Sequence, residues 1–289
     1  MAQTTATSAK QAGKSVLAAA KHDATAPWVK WLERLGFITR GLIYAVIGVL
    51  ALQLASGAGG GAASPTSAIA VIGRQPFGKI FLAVIAVGLV GYALWGVVRA
   101  ALDPLGRGSD AKGLFDRAGF LFSGLSYALL LIPTVAALLD KPSTSAGSAS
   151  GVPAGLTSGP AGKWLIVAFG MAWIAIGVGQ LAAAYTAHFM RDLKTGAMSA
   201  QEVKTATWLG KLGYAARGIV FAVIGLIILQ TELAGGAQQA KGFDGALAAL
   251  AHAPYGEVLL GMVALGLILF GIYSGMCAKW TRIGAGRQA

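Results

Sequence analysis

The chain has 289 residues, of which 56% are hydrophobic and only 12% are charged, whereas about 25% of residues are charged in soluble domains. This composition argues against a soluble enzyme or a soluble binding domain. A net charge of +12 would suggest a nucleic-acid partner in a soluble protein. Here the positions of the charges along the chain explain it better, and we expect no nucleic-acid partner.

The chain begins with a segment rich in Ala, Ser and Thr that carries Lys10, Lys14 and Lys21. It contains no apolar stretch of the kind that a signal peptide requires. We therefore predict that residues 1–27 form a disordered basic tail.

Six apolar segments follow, each close to the roughly 20 residues that a helix needs to cross a hydrocarbon core about 30 Å thick. They are continuous runs without the alternation that is typical of a membrane β-barrel. The sequence therefore predicts an all-α integral membrane protein with six transmembrane helices. The predicted spans are residues 35–55, 80–98, 118–139, 164–187, 212–231 and 258–278.

The basic residues are distributed unevenly between the two sides of these predicted spans. Of the 23 Lys and Arg residues, 18 lie in the two tails, the second and fourth loops and the adjoining helix ends. The positive-inside rule then predicts that the N and C termini are both cytoplasmic. The remaining five lie in the other three loops: Arg74, Lys79, Lys141, Lys163 and Lys241.

The spans form three copies of a two-helix unit. The odd-numbered spans begin with Gly, an aromatic residue (Phe or Tyr), two variable residues, Arg or Ser, and Gly, at residues 36–41, 119–124 and 213–218. The even-numbered spans begin with Pro-x-Gly at 76–78, 160–162 and 254–256. Each copy therefore enters the membrane from the same side, and three parallel copies predict a pseudo-threefold arrangement. The predicted repeats are residues 28–104, 105–193 and 194–283, followed by a short tail, 284–289.

Several residues inside this pattern carry structural expectations. Two glycines seven residues apart on one helix face predict close helix packing in the first span and again in the fifth: Gly41 and Gly48, and Gly218 and Gly225. Pro133 predicts a kink in the third span. Short apolar stretches at 68–73 and 246–251 predict small helices at the outer face.

The repeats resemble the bacterial membrane-protein family catalogued as domain of unknown function 1206, over about residues 28–283. The resemblance rests on Gly-aromatic-x-x-Arg-Gly at 36–41 and 213–218, Pro-Phe-Gly at 76–78, Tyr92-Ala93-Leu94-Trp95 followed by Asp103-Pro104, and Phe189 with Leu193. Repeat two departs from the pattern, with Ser123 where the other copies have Arg. The resemblance implies a multi-pass protein of the bacterial cytoplasmic (inner) membrane, and it implies no particular activity.

Arg40 and Arg217 are the strongest candidates for a functional site. They hold equivalent positions in repeats one and three, about one turn inside the predicted boundary. One interpretation is that both side chains snorkel to the headgroups and fix the topology. The other is that their guanidinium groups bind a lipid phosphate or an anionic solute, with lipid favoured because of their depth.

A second set of polar residues could line the predicted axis: Ser123, Ser126, Tyr127 and Gln180. Gln180 is the deepest large polar residue, and an interhelical hydrogen bond is the simpler interpretation of it. Gly271 and Gly275 form a small-xxx-small pair that would serve either self-association or internal packing.

No residue pattern predicts catalysis. The lone Cys277 cannot form an internal disulfide or a metal site, and the three His residues do not pair as haem ligands would. All Asp and Glu residues lie in loops, tails or helix edges, so we expect no buried carboxylate that serves as a proton relay. We therefore expect no enzyme, no cofactor and no metal.

These observations favour a non-enzymatic protein that binds lipids or acts as a scaffold or accessory for other membrane proteins. Its expected partners are anionic headgroups at the cytoplasmic face, other membrane proteins, or a second copy of the chain. The alternative is a channel or transporter of small solutes or ions that uses a cavity on the pseudo-threefold axis.

Overall fold

The computed structural model describes residues 27–57, 63–103, 106–141, 160–233 and 243–281. Residues 1–26 and 282–289, and with them nearly all of the two predicted tails, lie outside this part of the chain. The described residues contain no β-strand. Their α-helices are α1 (Pro27–Ala55), α2 (Pro65–Gly73), α3 (Gly78–Leu102), α4 (Ala111–Leu129), α5 (Leu131–Leu138), α6 (Pro160–Thr186), α7 (Ala200–Leu233), α8 (Phe243–Ala251) and α9 (Gly256–Trp280).

Within the part of the chain that the structure describes, six helical segments are long and apolar enough to cross a membrane, which agrees with the predicted six spans and the all-α class. They are Glu33–Ala55, Gly78–Leu102, Gly113–Leu138, Ile166–Thr186, Ala200–Gln230 and Gly256–Trp280. Short 3₁₀ helices, His188–Asp192 and Thr195–Ala197, connect α6 to α7. Throughout, the basic end of the bundle means the end at which α1, α4 and α7 begin and α3, α6 and α9 finish.

The third span is divided into α4 and α5, as Pro133 predicts. Proline has no N–H, so the carbonyl of Leu129, four residues earlier, loses its helical donor. The helix is interrupted at Leu130. Thr134 bonds to the next carbonyl instead: its Oγ donates a hydrogen bond of 2.7 Å to the Leu130 carbonyl, which also accepts from the Thr134 N–H.

The two short helices predicted before the second and sixth spans are present as α2 and α8. Both bury small apolar side chains against the bundle, such as Ala68 and Ile69 of α2 and Leu247 of α8. The helices α2 and α8 therefore cover part of the protein interior. The residues just before α3 and α9, Phe77 and Tyr255, have left-handed backbones and exposed rings, as expected of aromatic side chains at a membrane interface.

Glycines bring neighbouring helices from different repeats into backbone contact, which confirms the close packing predicted for the first and fifth spans. A Cβ atom on Gly41 of α1 would lie 2.7 Å from the Gly271 carbonyl oxygen of α9. The corresponding contacts join α7 to α6 and α4 to α3: Gly218 with Gly177, and Gly124 with Ala93 and Gly96.

The contact between Gly41 and Gly271 also bears on the small-xxx-small pair of α9. Gly271 is used for packing inside the chain, whereas a Cβ on Gly275 would meet nothing within 4 Å. The two glycines therefore do not form one continuous external surface. This favours the internal-packing interpretation for Gly271.

Repeat two differs from the other repeats in how its helices meet. In repeats one and three the paired spans, α1 with α3 and α7 with α9, pack along their length. Among the described residues, α4 and α5 do not pack in this way on α6. The ring of Phe122 in α4 reaches the ring of Trp173 in α6, with centroids 6.0 Å apart.

We predict that Gly41→Ala destabilises the protein, because the new methyl group would meet a backbone carbonyl that cannot move aside cheaply. Such overpacking typically costs about 1–3 kcal/mol. The control is Gly261→Ala in α9, where a Cβ has open space, and the better helix propensity of Ala should leave stability equal or raised. Thermal unfolding in detergent measures both. Equal melting temperatures for the two variants would contradict the packing.

Candidate functional site

Arg40 and Arg217 are both buried inside the bundle near its basic end, at 6% and 9% exposure. The snorkelling interpretation requires a side chain that runs along the surface. It does not describe these two arginines, because aromatic rings from several helices enclose them. The sequence could not indicate that the two side chains are buried, because an arginine at this depth is compatible with both snorkelling and burial.

Arg40 is held in one orientation by hydrogen bonds to two other helices. Its Nε donates to Ser274 Oγ of α9 at 2.7 Å, and its Nη1 donates to the Tyr92 hydroxyl of α3 at 2.8 Å. Ser274 Oγ in turn donates to the Phe37 carbonyl at 2.9 Å. The guanidinium also lies over the rings of Phe37 and Phe270, 4.7 and 5.0 Å from their centroids.

Arg217 occupies the equivalent position in α7 but is held differently. Its guanidinium lies 4.4 Å from the ring centroid of Phe270, 5.0 Å from that of Phe221 and 5.1 Å from that of Tyr44. Its Nε is buried and has no hydrogen-bond partner among the described residues. Phe270 is therefore shared by the guanidinium groups of Arg40 and Arg217, and the second of these keeps donor capacity unused.

A third buried arginine, Arg99, joins this cluster, although its place in the sequence did not single it out. The predicted span ended at residue 98, whereas α3 continues to Leu102. The guanidinium lies 4.5 Å from the ring centroid of Phe120, and its Nε and Nη2 have no partner among the described residues. The available signal was helical spacing, because Arg99 follows Tyr92 and Trp95 by seven and four residues and so shares their face.

The charge of this cluster is not balanced by ion pairs. Among the described residues, no carboxylate forms a salt bridge with any of the three buried arginines. One acid at a helix edge, Glu33, is nevertheless buried, at 1% exposure, and neither of its oxygens has a hydrogen-bond partner among the described residues. Glu33 lies near enough to Arg99 for the two charges to interact.

The predicted axial residues are brought together only in part. Tyr127 is buried against Tyr92, with ring centroids 4.5 Å apart, and its hydroxyl has no partner among the described residues. Ser123 lies half-buried beside the Tyr92 hydroxyl. Ser126 instead donates to the Phe122 carbonyl of its own helix at 2.8 Å. Gln180 is half-buried on α6, and its buried Oε1 has no hydrogen-bond partner within the described ranges.

Outside the spans, Arg107 ties the second loop to the segment that follows α6. It pairs with Asp192, lies 3.7 Å from Asp116, and contacts His188 Nε2 at 3.2 Å. Burial raises the pKa of the Asp192 carboxyl above its ordinary value, and the guanidinium of Arg107 opposes that rise. These ion pairs hold the loops together at the basic end, beneath the arginine cluster.

A metal site needs at least three His, Cys, Asp or Glu side chains close together, and no such cluster occurs in the described ranges of the chain. Cys277 is buried and free. The arginine cluster is thus a cationic and aromatic environment made by Arg40, Arg99, Arg217 and the rings around them.

Comparison with known proteins places the chain in a family. A model described as Domain of Unknown Function (DUF1206) matches residues 35–103, 118–187 and 212–281. A Bacillus subtilis (strain 168) protein named "Uncharacterized protein YxxB" is 34% identical over 250 residues, which cover 86% of this chain and 90% of that protein. No solved structure matches. Each matched segment contains one odd-numbered and one even-numbered span, which confirms the three repeats. The chain is a three-repeat member of the DUF1206 family.

Proposed function

We propose that the chain is a non-enzymatic lipid-binding protein of a bacterial cytoplasmic membrane, and that Arg217 and Arg40 hold the phosphate of an anionic headgroup. One observation carries this proposal. Both guanidinium groups are buried against the same ring, Phe270, and no described carboxylate forms an ion pair with either.

The physical reason is the penalty for burying charge. Removing an ion from water has an effective penalty of several kcal/mol even after relaxation, and a missing counter-charge leaves that penalty uncompensated. Aromatic faces recover only about 0.5–2 kcal/mol for each cation–π contact. Two cations that share one ring also repel each other. A bound phosphate would supply the negative charge that no salt bridge among the described residues gives to Arg40 or Arg217.

The two arginines would have different roles. Arg40 already uses Nε and Nη1 in hydrogen bonds to Ser274 and Tyr92, so it contributes a fixed charge and its remaining donors. Arg217 has an unused buried Nε, so it is the principal phosphate ligand. A guanidinium suits this role because its planar fork can donate two parallel hydrogen bonds to phosphate oxygens. The Tyr127 hydroxyl is a further donor close to both charges.

We also propose that both termini are cytoplasmic and that the repeats are related by a pseudo-threefold axis. The skewed distribution of Lys and Arg supports the orientation. Glycine contacts of the same kind at three interfaces between repeats support the axis. Exposed rings at both ends are consistent with two aromatic belts: Trp31, Phe115, Tyr185 and Trp208 at the basic end, and Phe77, Trp164 and Tyr255 at the other. The arginine cluster would then face the leaflet that is rich in anionic lipid.

The alternative, a channel or transporter that uses a cavity on the axis, has less support. Tyr44, Phe270 and Tyr273 pack ring against ring beside the arginine cluster, with neighbouring centroids 4.9 and 6.1 Å apart. A scaffold role for other membrane proteins, or self-association, would use the lipid-facing surface instead of this cluster. It is therefore independent of the headgroup proposal.

We predict that Arg217→Gln lowers the amount of anionic lipid that copurifies with the protein by about tenfold, the effect expected when a charge-assisted hydrogen bond is lost. Native mass spectrometry with lipid identification measures it. The control is Arg34→Gln, which removes an exposed arginine from the same end of the bundle and should leave the bound lipid unchanged. Equal lipid in the wild type and Arg217→Gln would refute the headgroup site, as would equal loss in both variants.

We predict that Tyr92→Phe lowers the free energy of unfolding by about 1–3 kcal/mol, because the Arg40 Nη1 donor would lose its buried acceptor while the ring remains in place. Tyr185→Phe is the matched control, since Tyr185 is 87% exposed and should tolerate the change. Denaturant titration in detergent measures both. If Tyr92→Phe is as stable as the control, the orientation of Arg40 does not depend on that hydrogen bond.

A further inference from the structure

The opening means here the side of repeat two where, among the described residues, α4 and α6 do not pack along each other. Aromatic contacts connect it to the arginine cluster. Trp173 of α6, which reaches α4 through the ring of Phe122, also contacts the ring of Phe221 in α7, with centroids 5.0 Å apart. Phe221 in turn lies under the guanidinium of Arg217, 5.0 Å from its centre. A connected set of aromatic side chains therefore leads from the unpacked side of repeat two to the arginine with unused donor capacity.

The helices on either side of this opening carry buried polar atoms that no described residue satisfies. These atoms are the Tyr127 hydroxyl on α4, and Trp173 Nε1 and Gln180 Oε1 on α6. An unsatisfied polar group within a bilayer has a penalty of several kcal/mol. Hydrocarbon tails cannot satisfy these groups. The ester and phosphate oxygens of a phospholipid can accept hydrogen bonds from the Tyr127 hydroxyl and Trp173 Nε1, and a hydroxyl of a glycerol headgroup can donate to Gln180 Oε1.

The polar atoms are spread over a range of depths that fits one lipid molecule. Gln180 and Trp173 are seven residues apart on α6, which corresponds to about 10 Å along the helix axis. Gln180 lies in the same part of the α6–α7 interface as Arg217, because neighbouring Leu181 packs on Gly218. Beyond them, α4 and α6 present apolar side chains to the outside: Leu121, Leu125 and Leu129 on α4, and Met171 and Val178 on α6.

We propose that one diacyl anionic phospholipid enters the protein sideways from the bilayer and lies between α4 and α6. Its phosphate binds at Arg217, and its ester groups accept hydrogen bonds from Trp173 and Tyr127. Its acyl chains leave along the apolar faces of α4 and α6. This inference rests on the proposed headgroup site, and it adds the class of lipid, the route of entry and the position of the chains.

Photolabelling tests the position of the chains. The full-length protein is reconstituted with phosphatidylglycerol that carries a diazirine on one acyl chain, and the labelled peptides are identified by mass spectrometry. We expect about fivefold more label on α4 and α6 than on the lipid-facing side of α9 around Met262 and Leu265. This factor corresponds to the net free energy of one hydrogen bond that holds the lipid in place. Even labelling of all exposed helix faces would overturn the proposal, because it would indicate only the surrounding bilayer.

Trp173→Phe is the sharpest variant, because it keeps the aromatic ring and removes only the N–H group. It should reduce the label on α4 and α6 by about fivefold, the effect of one net hydrogen bond. The control, Trp208→Phe, changes an exposed tryptophan at the basic end and should leave the label unchanged. Unchanged labelling in Trp173→Phe would overturn the assigned hydrogen bond to the ester group.

Two further arms separate failure of this inference from failure of the proposed function. Arg217→Gln should abolish the excess label on α4 and α6. If that excess persists, the chains lie as proposed but the phosphate is not held by Arg217. If the wild type labels evenly while Arg217→Gln still loses copurified lipid, the headgroup site stands and the route between α4 and α6 fails. Displacement of the lipid by millimolar glycerol 3-phosphate would identify a soluble phosphate as the ligand and overturn lateral entry.

Discussion

The structure depends above all on keeping three arginine side chains inside an apolar bundle although, among the described residues, no carboxylate forms a salt bridge with them. Arg40, Arg99 and Arg217 are enclosed by aromatic rings from several helices, and Phe270 serves two of them at once. The negative faces of these rings substitute for water, but each contact is weaker than the hydration it replaces. The helices around the cluster must therefore be held tightly enough that the guanidinium groups cannot reach solvent.

Glycine supplies that tightness. At Gly41, Gly124 and Gly218 the odd-numbered spans approach the backbone of an even-numbered span from another repeat. Each of these glycines directly follows the position occupied by Arg40, Ser123 or Arg217. The same short motif thus sets the distance between two helices and points a polar side chain toward their neighbours. Inside a bilayer the hydrophobic effect does not drive helices together, so such close van der Waals packing is a main source of helix association.

Much of this fold could be predicted from the sequence, because bilayer thickness and internal repetition leave few alternatives. The six spans, the break at Pro133 and the short helices α2 and α8 follow from local composition. Arg40 and Arg217 were identified because the repeat marks them. Arg99 and Glu33 were missed because they lie near span ends, where the sequence does not show how far a helix continues or which face becomes buried. The difference between Ser126 and Tyr127 also depends on packing, since adjacent residues point to different sides of α4.

Repeat two gives the molecule its asymmetry. Ser123 stands where the other copies have Arg, and the helices of this repeat alone do not pack along each other among the described residues. An arginine at position 123 would bring a further positive charge toward the same rings, and the electrostatic penalty for burying each arginine of the cluster would rise. Because repeat two has diverged, the side of the protein that it forms differs from the sides formed by repeats one and three. For any ligand held at this cluster, the stoichiometry would be one per chain in place of three, and its exchange would be free of cooperativity between repeats.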